Sequence, residues 1–568
     1  MNSNYWRANE KAQVSTDSIS IPATNGLNFA SNANTNIRLN IPKTIPFFIG
    51  DQSYLKFRLD LEFKGTAGGL GESSSFVQMI PELGSSGIIK NLTIRTHTGK
   101  IIEQIQGYNI LSLLRNKYDS TQDKDNIRSI TEGTVLYDPR CRNTNAQVDY
   151  VQKLNSNNTT TNPYFETFED SAGDVKTTQK SVDVCLPLHL SGIMGSHKVV
   201  PNGMLGLNLE IELEEASKIM RGNSNAIKDS TYNPELSFGR TSAGVVGASD
   251  SGLTKAIAYD RIYLTYTNSM KDIENNPFKI GEVIRLKMDD GTIETVGKIS
   301  GVGTGYDSTG AGNLYVYYDL ATNFTPVADA ILFNTMFSLN FEDAGLTGTT
   351  IKYTVSNVEY IIKRAEVEDN YLRQMETALK SNGMIKYEFP SYTNYTRQVL
   401  ATELNSTINL PLQNSMARSL FCIPVDVQVD QIVNLRNIEG IDTPYFNLAG
   451  QNTTNFYQFQ YNGRLHPNRV VDCSKNASTK SFNQIHILEL EKALSQGNIP
   501  PNSLRSLKND FVIGRALSVG SGYADTTGRE FQLNVDYSGI AQKNKLFNIF
   551  CSHIRRVEMS ADGIAVII

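Results

Sequence analysis

The amino-acid sequence predicts an all-β chain built as two similar β-sandwiches in tandem, with a few short helices and a small β insert. Three observations carry this expectation. The apolar stretches are short and many alternate with period two, the mark of a strand with one buried face. Gly, Asn, Ser and Thr are abundant, which favours strands joined by many loops over long helices. The order of periodic segments in the second half also echoes that of the first. With 568 residues the chain exceeds what one core supports. Its 40% hydrophobic and 20% charged residues are globular values.

Residues 54–63, YLKFRLDLEF, include the alternating series Phe57, Leu59, Leu61, Phe63 beside Tyr54 and read as a strand. The Gly/Ser-rich stretch 65–75 reads as a loop. Residues 88–100, IIKNLTIRTHTGK, carry Ile88, Leu92 and Ile94 on a strand that turns at Thr98-Gly99. The period then changes. Ile101, Ile105, Tyr108, Leu111 and Leu114 or Arg115 fall three to four apart, which predicts a helix from 101 onward. Residues 116–180 are polar and are expected to form a long surface loop.

Strands follow at 182–195, at 199–215 with Leu205, Leu207, Leu209, Ile211 and Leu213 alternating, and at 256–267. Residues 279–350 read as a separate small β element of four short strands broken by Asp-Gly and Gly-rich turns. One long strand or bent pair is expected over 351–367. A helix follows over 369–383, with Asp369 as cap, Leu372, Met375 and Leu379 on one face, and Gly383 at its end.

In the second half, 421–430 and 456–467 read as strands. Ile487, Leu490 and Leu494 define a short amphipathic helix ended by Gln496-Gly497. FVIGRALSVGSG (511–522) then echoes VDVCLPLHLSGIMG (182–195). REFQLNVDYSG (529–539) echoes the strand at 205–213, and NIFCSHIRRVEMSADG (548–563) echoes 351–367. Order and periodicity repeat, whereas residue identities do not.

The net charge of −5 gives no reason for the surface to coat nucleic acid, so weak or no direct DNA contact is expected. Cys141, Cys185, Cys422, Cys473 and Cys551 are odd in number, spread out and without a C-x-x-C, and are expected as free thiols. Residues 1–13 lack the apolar core of a signal peptide, and no apolar run of about 18 residues marks a transmembrane segment.

The chemistry of an enzyme is not visible. No phosphate loop or G-x-S-x-G elbow occurs. Gly301-Val302-Gly303-Thr304-Gly305 sits among β residues and reads as a hairpin or flexible loop rather than a dinucleotide loop. His97, His189, His197, His466, His486 and His553 are scattered; His189 and His197 are the only close pair, with no helical motif or cysteine to complete a metal site. The adjacent acids Asp289-Asp290 and Glu214-Glu215 read as exposed turn acids, because neighbours on a strand point to opposite faces. Arg555-Arg556 with Lys543 and Lys545 suggests either a basic face or a solvated strand end. No catalytic, cofactor-binding or metal-binding residue is therefore assigned, and no cofactor is expected.

Three segments resemble the double jelly-roll major capsid proteins of virophages and Polinton-like viruses, with adenovirus hexon more distant. They are IIKNLTIRTHTGKIIEQIQGYNILSLL (88–114), ending near the pair Tyr108-Asn109, LPLHLSGIMGSHKVVPNGMLGLNLEIELEEA (186–216), and YTVSNVEYIIKRAEVEDNYLRQMETALKSNG (353–383). With FVIGRALSVGSG, the resemblance spans residues 50–568.

It implies two tandem eight-stranded jelly-roll β-sandwiches: an N-terminal arm at 1–20, a first jelly roll at 21–368 including the insert at about 279–350, a linking helix at 369–383, and a second jelly roll at 384–568. It further implies a major capsid protein, not an enzyme, that forms pseudo-hexagonal homotrimers tiling an icosahedral shell around a double-stranded DNA genome. Its partners would be itself and penton and minor capsid proteins. It would reside in the virion capsid and be made in the host cytoplasm or viral factory. A receptor-binding or adhesion β-protein, such as a spike or fibre, is the alternative reading of the Asn/Thr-rich loops.

Overall fold

A computed structural model describes residues 13–66, 74–79, 83–133, 165–169, 175–223, 237–238, 261–265, 283–287, 293–306, 312–320, 331–333, 350–400, 403, 405–426, 453–473, 483–502, 511–518, 522–538, 545–560 and 563–567. Eight strands build the first sandwich: β1 (Gln13–Pro22), β2 (Asn36–Asn40), β3 (Phe48–Thr66), β4 (Ile89–Thr96), β5 (Ile101–Gln106), β6 (Val199–Val200), β7 (Leu207–Leu213) and β8 (Thr350–Val367). They form two sheets, ordered β1-β8-β3-β6 and β2-β7-β4-β5.

Eight more build the second: β9 (Met384–Val399), β10 (Asn405–Leu410), β11 (Ala417–Asp426), β12 (Thr453–Tyr461), β13 (Arg464–Asp472), β14 (Ile513–Ala516), β15 (Phe531–Ser538) and β16 (Lys545–Ser560). Their sheets run β9-β16-β11-β14 and β10-β15-β12-β13. Adding eight to each strand number of the first sandwich reproduces the second. Two antiparallel sheets whose main paths run through four strands in this interleaved order are a jelly roll, and the chain contains it twice. Val175–Leu186 extends the β6 side of β3, so the echoing segments 182–195 and 511–522 both supply the strand beside the third strand of their own sandwich.

The alternation read from the sequence becomes the core. Leu55, Phe57, Leu59 and Leu61 on β3, and Leu207, Leu209, Ile211 and Leu213 on β7, are buried. Burial of each such side chain contributes about 1.5–3 kcal/mol. Phe531, Leu533 and Val535 on β15 do the same in the second sandwich. Leu205, expected at the head of the β7 alternation, instead closes a helical turn at Asn202–Leu205.

Several other expectations change. Residues 101–106 are a strand, not a helix, because β5 pairs antiparallel with β4 across the Thr98-Gly99 turn. The helix α1 (Tyr108–Tyr118) begins only after Gly107. The polar stretch 116–180 is not all loop, since α2 (Gln122–Thr131) and strands Phe165–Glu169 and Val175–Leu186 lie in it. Thr121 caps α2, accepting a hydrogen bond from the Lys124 amide. The expected arm at 1–20 overlaps β1, whose residues from Gln13 onward pair with β8.

The strand expected over 456–467 is a hairpin. Asn462 (φ 48°) and Gly463 (φ 75°) both turn left-handed between β12 and β13, as a two-residue type I′ loop requires.

Arg261–Thr265, expected beside the first sandwich, belongs to a closed six-stranded barrel with Ser237–Phe238, Val283–Lys287, Ile293–Tyr306, Gly312–Leu320 and Ile331–Phe333. Gly301 to Gly305 lie within a barrel strand paired to Gly312–Leu320. The last of the four short strands expected over 279–350, MFSLNFED at 336–343, and Asp289-Asp290 lie outside the described residues.

The helix α3 (Asp369–Asn382) runs between the two sets of strands and ends at Gly383. Met375 and Ala378 are buried, whereas Leu372 is exposed. Its N-cap is Glu368 rather than Asp369. The expected amphipathic helix of the second half is α4 (Gln484–Gln496), capped by Asn483. No described helix is long and apolar enough to cross a membrane.

Candidate functional site at the seam between the sandwiches

The polar chemistry of the described residues concentrates where the first sandwich meets the second. Strand β5 is the edge of its sheet, and it is covered by β9, the edge strand of the second sandwich. Glu103 is in phase with Ile105 on β5 and is fully buried. Its carboxylate accepts the Ser191 hydroxyl at 2.5 Å and the Gly192 amide at 2.9 Å. From the second sandwich, the Ser391 hydroxyl faces the same carboxylate without reaching full hydrogen-bond geometry. Burial pushes the Glu103 carboxyl above its ordinary range, while these donors and the positive charge of Arg555 pull it back.

Arg555 on β16 is buried as well. Its Nη1 donates to the Ile102 carbonyl at 2.9 Å, so it satisfies an edge carbonyl of β5, and its Nε donates to His553 Nε2 at 3.2 Å. Burial lowers its pKa, and Glu103 opposes that. Arg555 is thus neither part of a basic face nor a solvated strand end, the two expected readings. Arg555 lies in the seam, in phase with the buried Val557 and Met559, and Arg556 on the opposite face pairs with Glu388 at 2.6 Å. Lys543 lies outside the described residues.

The closest approach is at Gly192. A Cβ there would stand 1.8 Å from the Pro390 carbonyl oxygen and 2.5 Å from Phe389 Cδ2. Backbone thus packs directly on backbone, and only glycine fits. Across the same junction Tyr387 Oη donates to Ser196 Oγ at 3.2 Å and Lys198 Nζ to the Glu388 carbonyl at 2.9 Å, and further along Lys100 Nζ donates to the Ile564 carbonyl at 2.7 Å.

A second buried polar group supports the same junction. Asp119, at the end of α1, accepts from Lys124 Nζ at 2.5 Å and Arg128 Nη2 at 3.4 Å. It also accepts from Asn502 Nδ2 of the second sandwich at 3.0 Å. Glu132 and Arg128 are buried beside it, and burial pushes Glu132 up against the pull of Arg115 and Arg128. Glu214, expected as an exposed turn acid, is buried and accepts from Asn109 Nδ2 at 3.0 Å, with Lys218 Nζ 3.4 Å away. Asn109 thereby ties α1 to the residue that follows β7.

The histidines do not converge. His97, His189 and His197 are exposed, and His197 Nδ1 meets Asp51 at 2.6 Å. His486 and His553 are buried and pushed down to about 3, by burial above all. Among the described residues, no three His, Cys, Asp or Glu side chains gather as metal ligands. Cys185, Cys422, Cys473 and Cys551 are free; Cys141 lies outside the described residues. Burial pushes the Cys551 thiol up to about 12, which keeps it protonated and unreactive.

The strand order defines the chain as a double jelly roll. Among solved structures it is similar to the 3.5 Å cryo-EM structure of the Sputnik virophage, at 10% identity, over 100% of this chain and 92% of that one, with a TM-score of 0.47. It is similar to the Faustovirus major capsid protein at 10% identity, over 99% and 92%, with a TM-score of 0.46. The mavirus major capsid protein aligns at 9% identity, over 100% and 94%, with a TM-score of 0.39. No family model and no curated protein matches the sequence.

Proposed function

We propose that this chain is a major capsid protein, a building block of a viral shell with a structural rather than catalytic role. The observation that carries the reading is the duplication: one eight-strand order occurs twice, and a buried seam joins an edge of the first copy to an edge of the second. Such a seam is heterologous, so it leaves one unused edge of each kind per chain. Heterologous contacts close into a ring when the rotation per contact divides the circle. Six sandwiches from three chains make that ring, a pseudo-hexagonal homotrimer.

The trimers tile an icosahedral shell around a double-stranded DNA genome, in the manner of the family that the segments 88–114, 186–216 and 353–383 resemble. In this reading the domains are a first jelly roll through residue 368, the helix at 369–383 and a second jelly roll from 384. Penton and minor capsid proteins complete the shell, and the chain is made in the host cytoplasm or viral factory before it enters the virion. A net charge of −5 supports little direct contact with DNA.

Native mass spectrometry of the purified chain, followed by negative-stain imaging, tests this. Trimers imaged as hexagonal particles are expected. A stable monomer would overturn the shell reading and bring forward an adhesion role for the Asn/Thr-rich segments.

A further inference from the structure

The barrel is the part of the described chain that the duplication does not account for. In the second sandwich β15 ends at Ser538 and β16 begins at Lys545, whereas in the first β7 ends at Leu213 and β8 begins only at Thr350. Strand register divides the barrel wall into two faces of opposite character. Ile262, Leu264, Val302, Leu314 and Val316 share one face across three neighbouring strands. An apolar set of this kind fills the inside of a small closed barrel, which leaves the other face as its outer wall.

That second face is aromatic and basic. Tyr263 and Tyr315 are register partners, and Tyr317, two residues along from Tyr315, is the partner of Arg261. On the third strand Tyr315 and Tyr317 stand opposite Gly303 and Gly301, positions that carry no side chain. The same face continues through Lys298, the partner of both Asp319 and Val283, to Arg285 and Lys287. Among the described residues of this face only Asp319 is acidic. A basic face therefore stands on a chain whose net charge is −5.

We propose that the juxtaposition of Tyr263, Tyr315 and Tyr317 with Arg261, Arg285, Lys287 and Lys298 makes the barrel wall a binding face for an acidic polysaccharide in which carboxylated sugars alternate with neutral ones. Tyrosine offers a flat apolar ring with a hydroxyl, which suits the C–H face and the hydroxyls of a sugar. Arginine and lysine give charge-assisted hydrogen bonds to carboxylates. The bases are spaced by uncharged positions, which matches a sparsely charged polymer. Duplex DNA, with one charge per about 1.7 Å of axis, calls for a denser array. The site is independent of the shell reading, since it needs neither the seam nor a trimer.

Calorimetric titration of the full chain with a hyaluronan oligosaccharide tests it, beside a chitin oligosaccharide as the neutral sugar and oligothymidylate as the nucleic acid. Hyaluronan should bind, less tightly as salt rises, and the other two at least about tenfold more weakly. Arg285→Gln with Lys287→Gln should weaken hyaluronan binding at least about tenfold and melt where the wild type does. Tyr315→Ala with Tyr317→Ala should weaken it by a similar factor of about ten. A purely structural role, in which the rings cover the glycines opposite, predicts instead that the tyrosine pair lowers the melting temperature and the charge pair leaves binding as it was. That result, or a wild-type chain that does not bind hyaluronan, would overturn the site. Oligothymidylate binding more tightly than hyaluronan would overturn the saccharide assignment in favour of a nucleic acid. Trimer formation, read by native mass spectrometry, is expected to be the same in every variant, so failure here and failure of the shell reading are distinguishable.

Discussion

Replacing Gly192 with alanine is the sharpest probe of the seam. The added Cβ would lie 1.8 Å from the Pro390 oxygen, 2.5 Å from Phe389 Cδ2 and 2.9 Å from the Pro390 carbonyl carbon. Two of these are backbone atoms, so no side-chain rotation relieves them. Reaching ordinary contact requires the two sandwiches to part locally by roughly 1.5 Å. Overpacking of this kind costs about 1–3 kcal/mol. The same displacement pulls the Gly192 amide from Glu103, 2.9 Å away, and loosening a hydrogen bond to a charged buried group costs about 1.5–3 kcal/mol more. The sum, about 2.5–6 kcal/mol, falls on the seam rather than on either core.

A chain with two sandwiches need not unfold in one step, so the measurement should be local. Hydrogen exchange followed by mass spectrometry, over 101–106 and 387–393, should show opening at least about 100-fold faster in Gly192→Ala. Gly463→Ala is the control. It sits at φ 75° with nothing within 4 Å, so it should cost only about 1–2 kcal/mol, confined to the β12–β13 hairpin. Unchanged seam exchange in Gly192→Ala would refute the close-contact argument.

Glu103→Gln should flatten a pH trend. Because the folded carboxyl is held above its ordinary 4.5, the native state binds the extra proton, and stability falls as pH rises from about 4.5 through the raised folded value. Denaturant titrations at several pH values should show that fall in the wild type and a flatter profile in the variant. Arg555→Ala should destabilise by about 3–5 kcal/mol, since it strips the Ile102 carbonyl of its donor and leaves Glu103 buried without its countercharge; seam exchange reads the loss. His486 has the opposite sign: with its folded pKa pushed down to about 3, stability is lost as pH falls below 6.5 toward 3, at about 1.4 kcal/mol per unit. His486→Gln should take up about one proton fewer on unfolding near pH 5, measured from the pH dependence of its denaturant midpoint. Asp119→Ala should leave Arg128 buried without its carboxylate and break the Asn502 contact. A loss of about 3 kcal/mol or more is expected, seen as faster proteolysis between 119 and 133.

The strands were legible wherever one face meets a core and the other meets water. That is why 54–63 and 207–213 could be read from alternation, and why the order of segments already implied a duplicated sandwich. Amphipathic helices at 369–383 and 484–496 were legible for the same reason, since periodicity records which side of an element is dry. The seam was not. Glu103 and Arg555 look like solvated charges because a sequence shows only that a residue is polar, not that a partner 452 positions away takes water's place. In hindsight the phase of Arg555 with Val557 and Met559 was the available signal.

Residues 101–106 fit helical spacing and β pairing equally well, because isoleucines four apart satisfy both, and the hydrogen bonds to β4 decided between them. Gly192 offered no signal at all, since its need for a missing Cβ arises only when Pro390 arrives from the other sandwich. The sequence alone determined the fold class and its repetition, because local periodicity sets which faces must be buried. Tertiary structure alone decided what buries them, because edges, close approaches and buried charges are properties of pairs of segments distant in the chain.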